Sequence, residues 1–450
     1  MYIGFDYGTA NCAVAIMENA QPRLLPLEGD QFYIPSTLAA PTREAVSEAL
    51  FKHYNIKPAD KAGEVLLRRA ISANREEDIV VDAQALQFGQ QALDSYLTEP
   101  DEVYYVKSPK SFLGAAGLHE MQLSLFEDLV CAMMANIKRR CETVCEDSIT
   151  QAVIGRPINF QGTGGEKANE QAEAILRRAA TRVGFQSVEF QFEPVAAGLE
   201  YESRLKEDKT VLVVDIGGGT TDCSMLQMGP SWLNQTDRTA GLMAHSGSRV
   251  GGNDLDIALA FERIMPLFGK HTRNQRGLAA PLSQFWNPVA INNVAAQSDF
   301  YASSNLATLK QLVRDSAEPE IIQRLVQVYQ HTLGHQLVRE AELMKIALSE
   351  QHIANSQLNI GQELLALHCT DTELADAVKS NAEKISQLIN EALVQAECQP
   401  DVIYMTGGSA RSPILRQLIE SRLPGVPIVA GDYFGSVTSG LTRWAERCFR

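Results

Sequence analysis

Long apolar runs are missing from this chain of 450 residues: nowhere do 18 apolar residues follow one another, and Asp6 interrupts the apolar stretch near the N-terminus. The pattern excludes a membrane-spanning helix and a secretory leader, so a cytoplasmic protein without membrane contact is expected. Paired cysteines are missing too. The eight cysteines, at 12, 131, 141, 145, 223, 369, 398 and 448, show no CxxC spacing and no histidine cluster beside them. Neither a zinc module nor a disulfide framework is expected, and Cys141 and Cys145, one turn apart, read as small buried hydrophobes. Positive charge is scarce, with 40 Lys and Arg against 55 Asp and Glu and a net charge of −15. Such a surface repels nucleic acid and anionic lipid, so no nucleic-acid partner is expected and any anion site must be built locally from backbone amides or a few cations. The most basic stretch, Lys61, Arg68, Arg69 and Arg75, is broken by Glu64, Glu76 and Glu77 and reads as a solvated helix face.

What the chain does have is enough apolar material to fold, 45% hydrophobic residues against 21% charged, and a length that calls for two or more cores. The segment YIGFDYGTANCAVAI, residues 2–16, reads as two short strands joined by a turn of small residues, with Asp6 near the end of the first strand. VLVVDIGGGTTDCSML, residues 211–226, has the same design: the buried-type strand Val211 to Val214 ends in Asp215, followed by glycines, threonines, Asp222 and a returning strand. Between them, residues 151–157 and 188–192 read as strands around a helix over 166–185 that stops at Gly184, which is the pattern of a parallel crossover. Toward the C-terminus come a helical run at 340–350, a strand at 402–406, a paired-glycine turn at Gly407 and Gly408, a helix near 412–423 with Ser412 as N-cap and Pro413 in its first turn, and a last helix near 435–447. The stretches 41–88, mostly helical, and 266–300, a candidate variable surface loop or small subdomain, look inserted.

A hairpin tip made of Gly, Thr and Asn offers successive backbone N–H groups without side-chain obstruction, and such nests bind phosphate oxygens. Carboxylates at the strand ends would repel phosphate directly, so their natural partner is a hydrated divalent cation, with Mg²⁺ suited to a site that keeps its waters. One such hairpin alone is equally well an ordinary turn. Two of them, with the acid at the same strand position and a third glycine turn before a helix, point to nucleotide binding. GTGGEK at 162–167 resembles a phosphate loop in outline but lacks the Gly-Lys-Ser/Thr ending and reads as a linker.

The ordered segments IGFDYGTANCAVAI, VIGRPINF, FEPVAAGLEY, VVDIGGGTTDCSM, RVGGNDLDIALA, EAELMKIALSE and MTGGSARSPIL resemble the actin-like ATPases, and within them the nucleotide-binding domain of DnaK-type heat-shock chaperones, closest to a divergent YegD-type branch. The resemblance implies an α/β fold of two lobes, each built on a ribonuclease H-like plan, flanking a central nucleotide cleft. The first lobe would span 1–195 and the second 196–430, with residues 431–450 forming a C-terminal helix that returns to the first lobe. It implies ATP/ADP and Mg²⁺ as cofactors. Gly8, Thr9, Ala10 and Asn11 would form one phosphate hairpin and Gly217, Gly218, Gly219, Thr220 and Thr221 the other, with Gly251 and Gly252 beside it. Asp6, Asp215 and Asp222 would surround magnesium, with Asp215, Glu193 and Thr220 as the catalytic set. Glu342, Lys345 and Ser349, on one helix face, would contact adenosine, and Gly407, Gly408, Ser409 and Arg411 would close over the nucleoside.

Departures from the family pattern matter as much. Leu93 stands where a catalytic lysine is expected, which predicts slow hydrolysis. Lys107 and Lys110 are nearby cations, of which Lys110 aligns with a structural lysine. Ala10 replaces a threonine, and Ile346 replaces an arginine that would stack on adenine. The sequence runs to Arg450, and no peptide-binding domain is expected after the ATPase core. The expected function is an ATP-binding, chaperone-like protein whose lobes close on nucleotide and whose partner or client is a protein that the residues do not identify; nor do they specify the oligomeric state. A cytoskeletal actin-like ATPase and a small-molecule kinase are the alternatives on the same fold.

Overall fold

Two sheets of the same plan organise the computed structural model, which describes residues 1–160, 165–233, 235, 239–432 and 435–450. Half of the GTGGEK linker, residues 162–164, lies outside the described residues. In the first sheet the strands run in the order Gln21–Leu24, Asn11–Glu18, Tyr2–Tyr7, Gln151–Arg156, Ser187–Phe192. In the second the order is Leu242–Ser248, Thr221–Met228, Lys209–Ile216, Val402–Thr406, Ile428–Ala430. Each sheet begins as an antiparallel meander and continues with two parallel strands. Parallel neighbours require crossovers, and the helices Glu166–Arg182 and Pro413–Arg422 supply corresponding ones. The central strands are apolar enough to be covered on both faces: Val211, Leu212, Val213 and Val214 are fully buried, as are Phe5 and Tyr7. The fold is therefore mixed α/β with two related halves, as the repeated motifs imply.

Each sheet has its own core, and a third core joins them. Val153 of the first sheet and Val211 and Val213 of the second pack together with Ala196 and Ala197 from the helix Glu193–Glu202 and Leu441 and Ala445 from the helix Gly435–Phe449. The last helix reaches back to the first sheet, where Thr442 Oγ1 donates to Ala15 O at 3.3 Å, and Arg443 pairs with Glu200 at 2.9 Å. These two helices fix how the halves sit against each other.

The 41–88 stretch contains the helices Arg43–His53 and Lys61–Glu76, whose N-caps Thr42 and Asp60 accept from Ala45 N and Gly63 N. Lys61, Arg68, Arg69 and Arg75 are all exposed. The 266–300 stretch, read as a variable surface loop or small subdomain, is mostly exposed over 273–283 but places Phe268, Phe285 and Phe300 in the second core, and Trp286 rests edge-on against Phe261 with a centroid distance of 5.2 Å. Aromatic side chains at these positions outweigh the loop signal of the prolines. Ser412 occupies the N-cap position of its helix, but its side chain makes no capping hydrogen bond.

Above the joined core the halves meet again. Tyr96 Oη donates to Thr332 O at 2.7 Å, Tyr96 stacks on Tyr105 at 4.6 Å, and His335 stands edge-on to both rings. Lys107 pairs with Glu342 at 3.0 Å, and Asn253 Nδ2 donates to Ser108 Oγ at 3.1 Å. Between these contacts and the crossing helices lies a cleft.

Candidate functional site

The cleft encloses about 430 Å³ and is lined from both halves. Asp6, Gly8, Thr9, Ala10 and Asn11 come from the first hairpin; Asp215, Gly217, Gly218 and Thr220 come from the second. Pairing places Asp6 opposite Ala13 and Asp215 opposite Asp222. The second turn is closed by Gly217 N donating to Thr220 O at 2.9 Å. The two tips touch: a Cβ added to Gly218 would lie 2.6 Å from the Cβ of Ala10, so only glycine allows this approach. Gly407 is likewise obligatory, with φ of +84° and Ile216 O only 2.3 Å from where its Cβ would be. Its turn, with Gly408, Ser409 and Arg411, lines the side of the cleft near Gly252, whose added Cβ would lie 2.4 Å from Ser409 Oγ.

Glu342, Lys345 and Ser349 face the cleft from the helix Gly334–Ala347 and the turn that follows it. Lys345 Nζ lies 2.7 Å from Asp256 Oδ1 and donates to Gly252 O at 3.3 Å. Glu342 accepts from Lys107 at 3.0 Å and from Arg339 at 2.9 Å, and these cations together with Lys345 hold its carboxyl down at about 2 despite burial.

The carboxylates behave in the opposite sense. Burial pushes Asp6 up to about 7, with a contribution from the charge of Glu193. Burial and the charges of Glu193, Asp222 and Asp6 push Asp215 well above the usual carboxylate range. Asp222 rises to about 8, chiefly by burial. The cation facing this group is Lys110, which is 3% exposed, donates to Glu193 Oε1 at 2.7 Å and to Gly155 O at 3.2 Å, and lowers all three aspartates. Lys110, which aligns with a structural lysine, stands behind Glu193 beside the acid cluster. Sequence spacing carried no sign of this, because the contact joins residues 83 positions apart.

Several residues singled out in the sequence stand beside the cleft rather than on it. Asp222 is 1% exposed and accepts from Ile158 N at 3.0 Å through Oδ1. Thr221 is fully buried, its hydroxyl donating to Val250 O at 2.7 Å. Gly251 donates from its N to Asp254 Oδ2 at 2.8 Å and packs against Gly218 and Gly219, so Gly219 and Gly251 support the second tip from behind. Conversely, Tyr33, Asn253, Asp256 and Val437 line the cleft without having been singled out. Asn253 and Asp256 lie within the segment RVGGNDLDIALA and could have been found from it, whereas Tyr33 and Val437 belong to no motif.

The donor set fits a hydrated hard cation. Among the described residues no group of three or more His, Cys, Asp or Glu side chains converges closely enough to hold a metal ion directly. Buried carboxylates in excess over one lysine, beside two amide-rich tips, suit Mg²⁺ that keeps its waters and takes further oxygen ligands from phosphate. Asp6 and Asp215 are the residues placed to hold those waters.

The sequence profile described as "Hsp70 protein" matches residues 115–276. A relative named "Chaperone protein dnaK", from Emiliania huxleyi, is 23% identical over 437 residues, which cover 94% of this chain and 56% of that protein. The chain thus spans about half the length of the curated relative it matches. No helix among the described residues is long and apolar enough to cross a membrane. The chain is thus similar to Hsp70-type proteins in one segment by profile and along most of its length by one relative.

Proposed function

We propose that this protein binds ATP and ADP with Mg²⁺ in the cleft, the two hairpin tips gripping the phosphates through main-chain amides, and that it acts as a chaperone-like nucleotide switch with slow hydrolysis. The observation that carries this reading is the contact between Gly218 and Ala10, which brings two turns of small residues from opposite halves together at the bottom of one cleft. Asp6 and Asp215 hold the water shell of the cation, which when bound neutralises phosphate charge. Asp215 also orients the attacking water, and Glu193, backed by Lys110, completes the polar wall.

Slow turnover follows from charge. Leu93 is buried and apolar, and Lys110 is engaged by Glu193 and does not line the cleft. Among the described residues, the lysine that lines the cleft is Lys345, in the second half and held by Asp256, and one preorganised group at a transition state is commonly worth about a hundredfold in rate. Nucleotide bound between both tips would hold the lobes closed, and its loss would let them part about the crossing helices, changing a surface read by a protein partner or client. The departures at Ala10, Leu93 and Ile346 support a divergent branch of YegD type.

Isothermal titration with Mg·ADP and Mg·ATP followed by single-turnover hydrolysis tests the reading. Binding of both with turnover far slower than binding is the expected result; failure of either nucleotide to bind would refute it.

A further inference from the structure

Resting on that nucleotide reading, we propose that Ser108 and Asn253 are positioning residues. Their hydrogen bond clasps the two phosphate-binding tips together from behind, so that polyphosphate is held by a pair of tips set at one separation rather than by each tip alone.

The clasp is one link in a chain of buried bonds that starts at one tip and ends at the other. Ser36 donates from its N to Ala10 O at 2.9 Å and from its hydroxyl to Gly8 O at 2.7 Å. Ser36 O accepts from Ser108 N at 2.7 Å, Ser108 Oγ accepts from Asn253 Nδ2 at 3.1 Å, and Asn253 N donates to Gly218 O at 2.7 Å. Ser36, Ser108 and Asn253 are all buried. The chain passes from the first half to the second between Ser108 and Asn253. Lys107 and Glu342 also join the halves, but that pair is partly open to water and ends on the helix Gly334–Ala347 rather than on a tip.

Two features tie this link to the site. Ser108 is held at φ of +58° and ψ of +55°, a left-handed conformation that is unfavourable for a residue other than glycine and persists where the surroundings impose it. Asn253 opens the helix Gly252–Leu259 and itself lines the cleft, so the bond is made from the wall of the site. The same backing orients the tips. A trans peptide places its carbonyl and the following N–H on opposite sides. Ser36 draws Gly8 O back, and Gly252 N does the same to Gly217 O at 2.8 Å, so the N–H groups of Thr9 and Gly218, both lining the cleft, face away from these donors. Cutting the link between Ser108 and Asn253 leaves each tip with its own backing and removes what fixes one against the other.

The test is a double-mutant cycle on Ser108→Ala and Asn253→Ala, read by equilibrium titration with Mg·ADP and with Mg·tripolyphosphate, and by denaturant unfolding of each variant. Each single change should weaken both ligands by about three- to thirtyfold, and the double variant should bind within about twofold of the weaker single one. Ser108→Asn combined with Asn253→Ser exchanges the partners across the same gap, and asparagine accepts a left-handed backbone. That exchange should bring both ligands back to within about threefold of wild type. Losses that multiply in the double variant, an exchanged pair that binds no better than the single variants, or lowered unfolding stability with unchanged affinity would overturn the inference. A penalty on Mg·ADP that spares Mg·tripolyphosphate would overturn it as well, because the clasp stands behind the phosphates. Failure of the wild-type protein to bind either ligand would instead strike the phosphate-grip reading on which the inference rests.

Discussion

The first and second hairpins are built on the same strand order but carry different chemistry. Asp6 in the first faces Ala13 across the strand pair, whereas Asp215 in the second faces another acid, Asp222. The first tip is Gly-Thr-Ala-Asn; the second is a run of three glycines and two threonines. The buried cation that offsets the acids, Lys110, belongs to the first half alone, and it reaches them through Glu193 on a helix that crosses toward the second. The two halves thus share the backbone plan that offers amides, while charge is distributed so that neither half is electrostatically complete without the other.

If that asymmetry holds, Lys110→Met should have the largest effect. Removing one partner of a buried pair leaves uncompensated charge, so a loss of about 3–5 kcal/mol is expected in denaturant unfolding. Lys345→Met, in the second half and partly open to solvent, should cost clearly less; equal losses would mean that the halves share the charge evenly. Next comes Asp215→Ala, which should lower single-turnover hydrolysis by at least about a hundredfold with ADP affinity nearly unchanged. Turnover equal to wild type would remove Asp215 from the mechanism.

A smaller effect is expected where the tips meet. Gly218→Ala places a methyl group against Ala10 and should weaken Mg·ADP binding by about tenfold, and Ala10→Gly in the same chain should restore most of it. No rescue would mean that the two tips do not act on each other.

An effect seen only at acid pH concerns the upper contact between the halves. Burial and the neighbouring Lys107 hold the His335 ring neutral, down to about 3, against Tyr96 and Tyr105. Because its folded value is depressed, its contribution is fully present above the unfolded value of about 6.5 and is lost as pH falls toward about 3. The slope is at most about 1.4 kcal/mol per pH unit. His335→Phe should flatten this acid limb of the stability profile; an unchanged limb would show that His335 does not titrate on unfolding.

Much of the architecture was legible in the sequence because it rests on local signals. Alternating or continuous apolar strands, small-residue turns and the helix ending at Gly184 all declare themselves within a few residues. The two hairpin tips were legible for the same reason, since what marks them lies in the backbone and in small residues. Side-chain direction at long range was not. Asp215 opens on the cleft while Asp222, its cross-strand neighbour, is turned against Ile158. Lys110 meets Glu193 only after two strands and two helices have packed. Phe268, Phe285 and Phe300 were hidden among prolines that read as loop, although their burial follows once a core exists to receive them.

Hydrogen–deuterium exchange at the two hairpin tips, with and without Mg·ADP, tests the central claim most directly. Amides at residues 8–11 and 217–220 should become protected together and to a similar degree when nucleotide is bound. Bound nucleotide that protects one tip and leaves the other unchanged would contradict a grip shared by both halves.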